Sequence, residues 1–337
     1  MNIQEAIKAV IAGENLSVEM SRSVFTDIMS GNATDAQIAA FIVGLRIKGE
    51  TVEEITGAAE VMREKATQVI PETYTHLVDT CGTGGDGSNT FNISTAAAFV
   101  ASGAGALVAK HGNRAASSRS GSADVLEELG ITISLPPEKL KACLDTIGIA
   151  FLFAPSLHGA MKYALGPRRE IGVRTIFNVL GPLANPALAP HQILGVFSNH
   201  LTGTLASVLN NMGTKRAFVV CGDNCLDEIA LSGPTEVAEV HLGTISAYTI
   251  VPEQFGFKRV PLDAIRGGTP AENAAIIRDI LAGQSGPCRE IVVLNAAFAL
   301  LAAGIAADPM EGIRAASESI DSGAAMGKME ALAMKSA

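Results

Sequence analysis

Residues 82–87 hold four glycines within six positions, in the order Gly-Thr-Gly-Gly-Asp-Gly. Glycine has no Cβ, so such a run folds tightly and can turn successive backbone N–H groups inward. The apolar pair Leu77-Val78 precedes it, and an alanine-rich segment typical of a helix follows. A concave row of N–H donors before a helix N-terminus favours anions, above all phosphate. A flexible linker is the alternative, but linkers seldom lie between a strand and an amphipathic helix.

A second polar stretch, residues 110–118, follows the next strand candidate and reads Lys-His-Gly-Asn-Arg-Ala-Ala-Ser-Ser. It combines a cation, a glycine that frees the turn, an amide and hydroxyls, and Gly121-Ser122 follow at a helix start. On its own, this stretch would be better interpreted as a solvated basic loop. Beside the glycine run it predicts a second anion-binding loop, and two such loops suit a substrate with phosphates at both ends.

The spacing Gly82-x-Gly84-x-x-Gly87 also matches a dinucleotide fingerprint. A dinucleotide-binding unit would place Asp or Glu at the end of the next strand to hold a ribose, and here Lys110 stands there. A Walker A loop fails too, because no Gly-Lys-Ser/Thr follows. The context therefore argues against NAD and leaves the phosphate interpretation.

Composition limits the class of protein. The 337 residues suggest about two domains, and 48% apolar against 18% charged residues indicates a globular chain. A net charge of −9 argues against a nucleic-acid or anionic-membrane partner. The five scattered cysteines are expected to be reduced thiols; Cys221-x3-Cys225 has no second ligand pair for zinc. With no signal peptide or bilayer-spanning run, the expected location is the cytoplasm.

The elements that would position these loops follow from apolar spacing. The first seventy residues predict helices only, at 17–29, 35–47 and 51–66, with capping boxes at Thr34-x-x-Gln37 and Thr51-x-x-Glu54. From Leu77 onward, short apolar strands alternate with helices, residues 237–251 alternate like antiparallel strand, and a proline-containing stretch around 167–190 is expected to be loop-rich. This order predicts an α/β fold: a small helical domain plus a larger domain whose mainly parallel sheet is covered by helices, with ligands at the carboxyl ends of the strands.

Five motifs in order carry a resemblance to a known family. They are Cys81-Gly-Thr-Gly-Gly-Asp-Gly, Asn92-Ile-Ser-Thr, Lys110-His-Gly-Asn-Arg, Gly121-Ser-Ala-Asp-Val-Leu-Glu and Arg174-Thr-Ile-Phe-Asn-Val-Leu-Gly-Pro-Leu. Shorter matches are Leu226-Asp227-Glu228-Ile229, Gly267-Gly268, Glu272-Asn273-Ala274 and Leu294-Asn295-Ala296. Over nearly its whole length the chain resembles the anthranilate phosphoribosyltransferases, which have the type III phosphoribosyltransferase fold. The resemblance implies a helical domain over residues 1–72, joined by a segment near 166–188, an α/β catalytic domain over 73–337, and a homodimer formed through the helical part.

The resemblance also implies the substrates and site. Phosphoribosyl pyrophosphate would contact Gly82, Gly85, Asp86, Thr90, Asn92, Ile93, Ser94, Thr95, Lys110, His111, Gly112, Asn113, Arg114, Ala115, Ala116, Ser117, Ser118 and Ser122. Anthranilate would contact Gly82, Asn113 and Arg168. Two Mg²⁺ ions per subunit are implied, one on Ser94 and the other on Asp227 and Glu228. The family typically has glycine at position 225, where this chain has Cys225.

The implied reaction makes N-(5-phosphoribosyl)anthranilate and pyrophosphate in tryptophan biosynthesis. Displacing pyrophosphate from the ribose passes through an oxocarbenium-like state, so catalysis requires neutralising the leaving group and aiming the amine. Lys110, Asn113 and Arg168 are the expected catalytic residues. The amine of anthranilate is neutral at pH 7, so no firm general base is assigned, and His111 is a candidate proton acceptor or an orienting residue.

Two other functions stay open at this point. A pyrimidine nucleoside phosphorylase shares the fold but resembles a longer chain with a third domain. A non-catalytic relative that binds nucleic acid would need a basic face, and the charge of −9 argues against one.

Overall fold

The computed structural model describes residues 1–115 and 119–337, so the predicted site residues Ala116, Ser117 and Ser118 lie outside the described part. Four helices come first: α1 (Ile3–Ile11), α2 (Val18–Met29), α3 (Asp35–Lys48) and α4 (Val52–Lys65). Both predicted capping boxes are formed at the starts of α3 and α4. Helix α1 was not predicted from the sequence, although Asn2 and Glu5 form a capping box at its start as well.

A seven-stranded sheet follows, in the order β3-β2-β1-β4-β5-β6-β7. Its strands are β1 (Leu77–Gly82), β2 (Leu107–Gly112), β3 (Ile149–Phe153), β4 (His191–Gly195), β5 (Arg216–Gly222), β6 (Thr235–His241) and β7 (Thr244–Ile250). Strands β1 to β5 pair in parallel, which confirms the predicted mainly parallel sheet. Strands β6 and β7 are antiparallel, and the alternating stretch at 237–251 turns back at Leu242-Gly243, where both residues have positive φ. That turn makes a hairpin of the predicted strand.

Helices cover both faces of the sheet. They are α5 (Ile93–Gly103), α6 (Ser122–Glu128), α7 (Pro137–Ile147), α11 (His200–Asn211), α12 (Pro270–Leu281), α13 (Pro287–Ala302), α14 (Pro309–Asp321) and α15 (Ala324–Ser336). Short 3-10 helices lie at Gly159–Met161, Pro252–Phe255 and Leu262–Ile265. Within residues 1–115 and 119–337, no helix has the length and apolar character needed to cross a bilayer.

The segment between β3 and β4 is helical, where the prolines predicted a loop-rich stretch. It contains α8 (Ala154–Leu157), α9 (Lys162–Ile171) and α10 (Phe177–Leu183), with Pro167 inside α9 and Pro182 inside α10. A proline inside a helix removes one hydrogen bond, and here tertiary packing outweighs that cost. The Tyr163 ring lies so close to Gly31 that a Cβ there would stand 2.6 Å from it. Helix α9 thus docks on the N-terminal helices.

Phenylalanines join α10 to the same helices. The ring of Phe25 on α2 lies 5.9 Å from that of Phe41 on α3 and 5.8 Å from that of Phe177 on α10, each pair edge to face. These residues belong to one apolar cluster with α11 and one face of β4 to β6, while a second cluster surrounds α5 and α13. The segment near 166–188 therefore packs with the helical part, and the domain boundary at residue 72 stays a prediction.

Candidate active site

An open cleft of about 560 Å³ lies at the carboxyl ends of β1, β2, β4 and β5. The predicted site residues that line it are Gly82, Gly85, Asp86, Thr90, Asn92, Ile93, Ser94, Lys110, His111, Gly112, Asn113, Arg114, Ala115, Ser122, Arg168, Asp227 and Glu228. Thr95 is the exception among the described residues. Within that part of the chain its buried hydroxyl has no partner, and it faces a small space beside Phe99 and Phe151, behind the cleft.

The cleft enters the sheet itself, between β1 and β2. Backbone pairing between these strands covers only Leu77 with Leu107 and Val78 with Val108. Beyond that point side chains span the gap. The buried carboxylate of Asp79 accepts a hydrogen bond from the His111 N–H at 3.1 Å, and the Lys110 ammonium donates to the Thr80 carbonyl. The glycine loop after β1 and the loop after β2 therefore leave neighbouring strands that have already separated.

Glycines in the loop after β1 have the conformation that only glycine adopts easily. Gly84, Gly85 and Gly87 all have positive φ, between 66° and 75°. The Gly84 N–H donates to Asp227 Oδ2 at 2.7 Å, and a Cβ on Gly82 would stand 2.4 Å from the same oxygen. The glycine loop is thus packed closely around the carboxylate of Asp227.

Asp227 and Glu228 lie in the loop after β5, and both carboxylates are directed inward. Glu228 Oε1 accepts a hydrogen bond at 2.9 Å from the N–H of Ser94, near the start of α5. Burial raises the pKa of both carboxyl groups; the nearby Asp86 raises that of Asp227 further, and Asp227 does so for Glu228. Several carboxylates crowded together out of water repel one another, and a cation between them would relieve that repulsion.

The donors at this point suit a hard cation. Carboxylate and hydroxyl oxygens of Asp227, Glu228 and Ser94 are the ligand type that Mg²⁺ prefers. In the described part of the chain, no group of three or more His, Cys, Asp or Glu side chains is arranged to hold a metal by itself. Such a partial set fits Mg²⁺, which commonly keeps several waters and takes further oxygens from substrate phosphates.

Lys110 brings a positive charge to the floor of the cleft. Its side chain is buried, and the ammonium lies 3.2 Å from the hydroxyl of Ser94. Burial lowers the pKa of Lys110, and the negative charge of Asp79 opposes that shift. The ammonium is therefore positioned close to the predicted metal ligands and beside the glycine loop.

His111 has both ring nitrogens engaged by the protein. Its Nδ1 lies 3.1 Å from the Gly181 carbonyl of α10, and its Nε2 lies 3.2 Å from Nε2 of His158. Burial lowers the pKa of His111 to about 3 and that of His158 to about 4, so both rings are neutral at pH 7. The sequence analysis did not single out His158, because nothing in its local pattern distinguishes it. His111 as a proton acceptor stays a prediction, and this geometry suits the orienting alternative.

Two arginines reach the cleft from the crossing segment, which is the helical stretch between β3 and β4 that contains α8, α9 and α10. The Arg168 guanidinium lies over the Phe177 ring, 5.0 Å from its centre, and among the described residues no carboxylate forms an ion pair with it. Arg174 lies over the Phe197 ring at 4.3 Å and donates to the carbonyl of Gly85. Arg174 is the first residue of the motif at 174–183, but the sequence predicted no role for it. Its contact ties the crossing segment to the glycine loop.

The described part of the second loop is held from α6. Asp124 Oδ2 accepts hydrogen bonds from the N–H groups of Ala115 and Gly121, both at 2.9 Å. Arg114 pairs with Asp124 at 3.0 Å and with Glu127 at 2.6 Å, so α6 already neutralises its charge. Asp124 thus holds the backbone at Ala115 and at Gly121, and the Arg114 guanidinium is already engaged in ion pairs with α6.

Comparison with known proteins agrees with this architecture. Residues 4–66 match the glycosyl transferase family, helical bundle domain, and residues 74–326 match the glycosyl transferase family, a/b domain. The anthranilate phosphoribosyltransferase of Moorella thermoacetica is 54% identical over 332 residues, 98% of this chain and 97% of that protein.

Solved structures give the same result. The crystal structure of anthranilate phosphoribosyltransferase from Thermus thermophilus superposes with a TM-score of 0.93 at 42% identity, covering 98% of each chain. The Saccharomyces cerevisiae enzyme in complex with PRPP and Mg has a TM-score of 0.90 at 28% identity, covering 99% of this chain and 97% of that one. The chain belongs to the anthranilate phosphoribosyltransferase family.

Proposed function

We propose that the chain transfers the phosphoribosyl group of 5-phosphoribosyl 1-pyrophosphate to the amine of anthranilate. The products are N-(5-phosphoribosyl)anthranilate and pyrophosphate, in a step of tryptophan biosynthesis. The observation that supports this most directly is the convergence of the glycine loop, Lys110, Arg168 and the Asp227–Glu228 pair at one edge of the sheet. Anion-binding donors, a cation-binding pair and an arginine directed at the cleft together match the two substrates.

The reaction forms a bond from the amine nitrogen to ribose C1 and breaks the bond from C1 to the pyrophosphate oxygen. The nitrogen then releases a proton. Negative charge grows on the leaving group, and the buried ammonium of Lys110, which lines the cleft beside the glycine loop, would stabilise it. Residues of the second loop, among them Asn113, would bind and orient the phosphoribosyl group.

Mg²⁺ would be held by Asp227, Glu228 and Ser94, and two ions per subunit remain part of the proposal. Bound there, Mg²⁺ supplies positive charge that screens the diphosphate from the carboxylates and stabilises the leaving group. The solved structure of the yeast relative is in complex with PRPP and Mg, which supports the use of this cation. The protein's own contribution is the fixed position of both carboxylates, through the N–H groups of Gly84 and Ser94.

Anthranilate would lie in the same cleft, near Arg168, Asn113 and Gly82. The carboxylate of anthranilate would pair with the Arg168 guanidinium, which Phe177 holds in place. Its ring would fit among apolar neighbours of the cleft such as Pro182. Because the amine attacks as a neutral group, the site needs no strong base.

The remaining expectations belong to the same proposal. A homodimer through the helical domain would cover Ile11 and Ile47, whose side chains are 72% and 83% exposed there. A cytoplasmic location suits the five cysteines, all of which are free thiols. Light scattering of the purified chain measures the assembly directly.

The deciding experiment incubates the purified chain with anthranilate and phosphoribosyl pyrophosphate in the presence of Mg²⁺ and follows the fluorescence change, with chromatography of the product. Reactions that lack either substrate are the controls. A parallel reaction with a pyrimidine nucleoside and phosphate tests the phosphorylase alternative. Turnover in the first reaction alone supports the proposal, and no product with either Mg²⁺ or Mn²⁺ overturns it.

A further inference from the structure

Asn295 is a buried amide in an otherwise apolar stretch of α13, and the functional site does not contain it. Its side chain is only 1% exposed, and Ile291, Leu294 and Ala296 around it are equally buried. The residue lies in the Leu294-Asn295-Ala296 motif, which the proposed reaction leaves without a role. A polar side chain in such an apolar environment requires hydrogen-bond partners within the protein.

The side-chain amide of Asn295 forms hydrogen bonds with both backbone polar groups of one residue, Ile229, in the loop after β5. Its Oδ1 accepts a hydrogen bond from the Ile229 N–H at 2.9 Å, and its Nδ2 donates to the Ile229 carbonyl at 3.0 Å. The second Nδ2 hydrogen goes to the Ile291 carbonyl of its own helix at 2.9 Å. Ile229 directly follows Glu228, so Asn295 fixes the backbone on that side of the carboxylate pair.

The other side of the pair is anchored as well. Leu226 and Gly222 exchange two backbone hydrogen bonds, at 2.7 and 2.8 Å, just before Asp227. After Ile229, the Ala230 N–H donates to the buried hydroxyl of Thr235 at 3.0 Å. Asp227 and Glu228 are thus the two residues between a backbone anchor and a side-chain anchor.

Retaining an asparagine at this place has a cost. Asparagine is a weaker helix former than alanine or leucine, and a buried amide loses its hydration. An apolar residue of similar size would suit the helix better but would leave the Ile229 N–H and carbonyl buried without partners. The hydrogen-bond geometry, rather than helix stability, accounts for the residue.

We propose that Asn295 is a positioning residue for the metal-binding carboxylates: by holding both polar groups of Ile229, it sets the direction in which Asp227 and Glu228 face the cleft. The inference rests on the proposed metal role of that pair. It assigns a function to a residue that contacts neither substrate nor metal.

The test measures Mn²⁺ binding by electron paramagnetic resonance in the presence of inorganic pyrophosphate, and, separately, Mg²⁺-dependent turnover. Asn295→Asp keeps the shape and the acceptor for the Ile229 N–H, but it loses the donors to both carbonyls. We expect the half-saturating Mn²⁺ concentration to rise about ten- to a hundredfold, as for other residues that orient metal ligands. The KM for anthranilate should change by less than about threefold, because Arg168 lies on a different segment.

Leu294→Ala is the matched control. It removes buried volume from the adjacent position of α13 and lowers the melting temperature, but it leaves the amide bonds to Ile229 in place, so Mn²⁺ binding should stay as in the wild type. Thr235→Val provides a second variant in case Asn295→Asp does not fold, and it should weaken Mn²⁺ binding in the same direction. Wild-type Mn²⁺ binding in the folded Asn295→Asp chain, or in Thr235→Val where the first variant does not fold, would overturn the positioning role alone. Absence of Mn²⁺ binding in the wild type would overturn the metal role of Asp227 and Glu228 and this inference with it.

Discussion

The carbonyl oxygen of Asp227 lies 1.6 Å from the place that a Cβ on Gly195 would occupy. Two strands of the sheet therefore accept the loop after β5, which contains Asp227 and Glu228, only because their terminal residues, Gly82 on β1 and Gly195 on β4, carry no side chain. These two glycines are paired neighbours in the β1–β4 ladder. The loop and the sheet are packed so closely that a single methyl group would separate them.

Gly195→Ala is expected to displace the Asp227 backbone and to reduce turnover at least about tenfold, with a raised Mg²⁺ requirement, since ligand position is what the substitution changes. Steady-state kinetics over a range of Mg²⁺ concentrations measures this. Gly203→Ala is the matched control, because Gly203 lies in α11 and its added Cβ would have no described atom within 4 Å apart from its chain neighbours and the backbone of its own helix. A Gly195→Ala chain with the kinetics of Gly203→Ala would show that the close contact has no functional weight.

Replacing both carboxylates, Asp227→Ala with Glu228→Ala, should abolish most activity without loss of thermal stability. Their pKa values are raised in the folded chain, so the folded state loses stability as pH rises through those values and the groups ionise. Without metal at pH 8, the double variant should melt at or above the wild-type temperature, and its Mg²⁺ dependence should lose a phase. Differential scanning calorimetry and Mg²⁺ titration test both parts. Near-normal turnover with an unchanged Mg²⁺ dependence would make the pair an ordinary turn.

Arg168→Ala should weaken anthranilate much more than phosphoribosyl pyrophosphate. Loss of one charge-assisted contact costs about 1.5–3 kcal/mol, which is roughly a ten- to hundredfold rise in the KM for anthranilate. The neighbouring Arg169 is exposed on the same helix and is absent from the cleft lining, so Arg169→Ala is the control. If Arg168→Ala raised the KM values for both substrates equally, the proposal that this guanidinium binds the anthranilate carboxylate would be wrong.

The His111–His158 contact predicts how stability depends on pH. Burial lowers the pKa of His158 from 6.5 to about 4, so between these values the unfolded chain binds more protons and stability falls as the solution is acidified. Each such histidine contributes a slope of up to about 1.4 kcal/mol per pH unit in that window. His158→Gln removes one of them, so urea unfolding between pH 7.5 and pH 5 should show a shallower decline than the wild type. Parallel curves for the two chains would mean that His158 is not held neutral by the fold.

Local patterns in the sequence determined much of this protein. The glycine run, the cation Lys110 near the end of β2 and the strand–helix alternation predicted where the ligands lie, because parallel strands bring their carboxyl ends to one edge. The family resemblance then implied roles for Lys110, Arg168, Asp227 and Glu228, and all four line the cleft. The conformational freedom of glycine, the helix caps and the spacing of apolar residues each depend on a few neighbouring residues. They can therefore be predicted from the sequence before the tertiary structure is known.

Only the tertiary structure decided which of these groups meet and which do not. Glu228 reaches Ser94 across 134 positions, and Asn295 reaches Ile229 across 66. His158 closes on His111, Thr95 turns away from the cleft, and α9 and α10 form despite their prolines because the N-terminal helices pack against them. Such contacts depend on how helices and strands pack over long sequence separations, and neither residue of a pair carries a local signal for the other. The residue types set the available chemistry, and packing set its geometry.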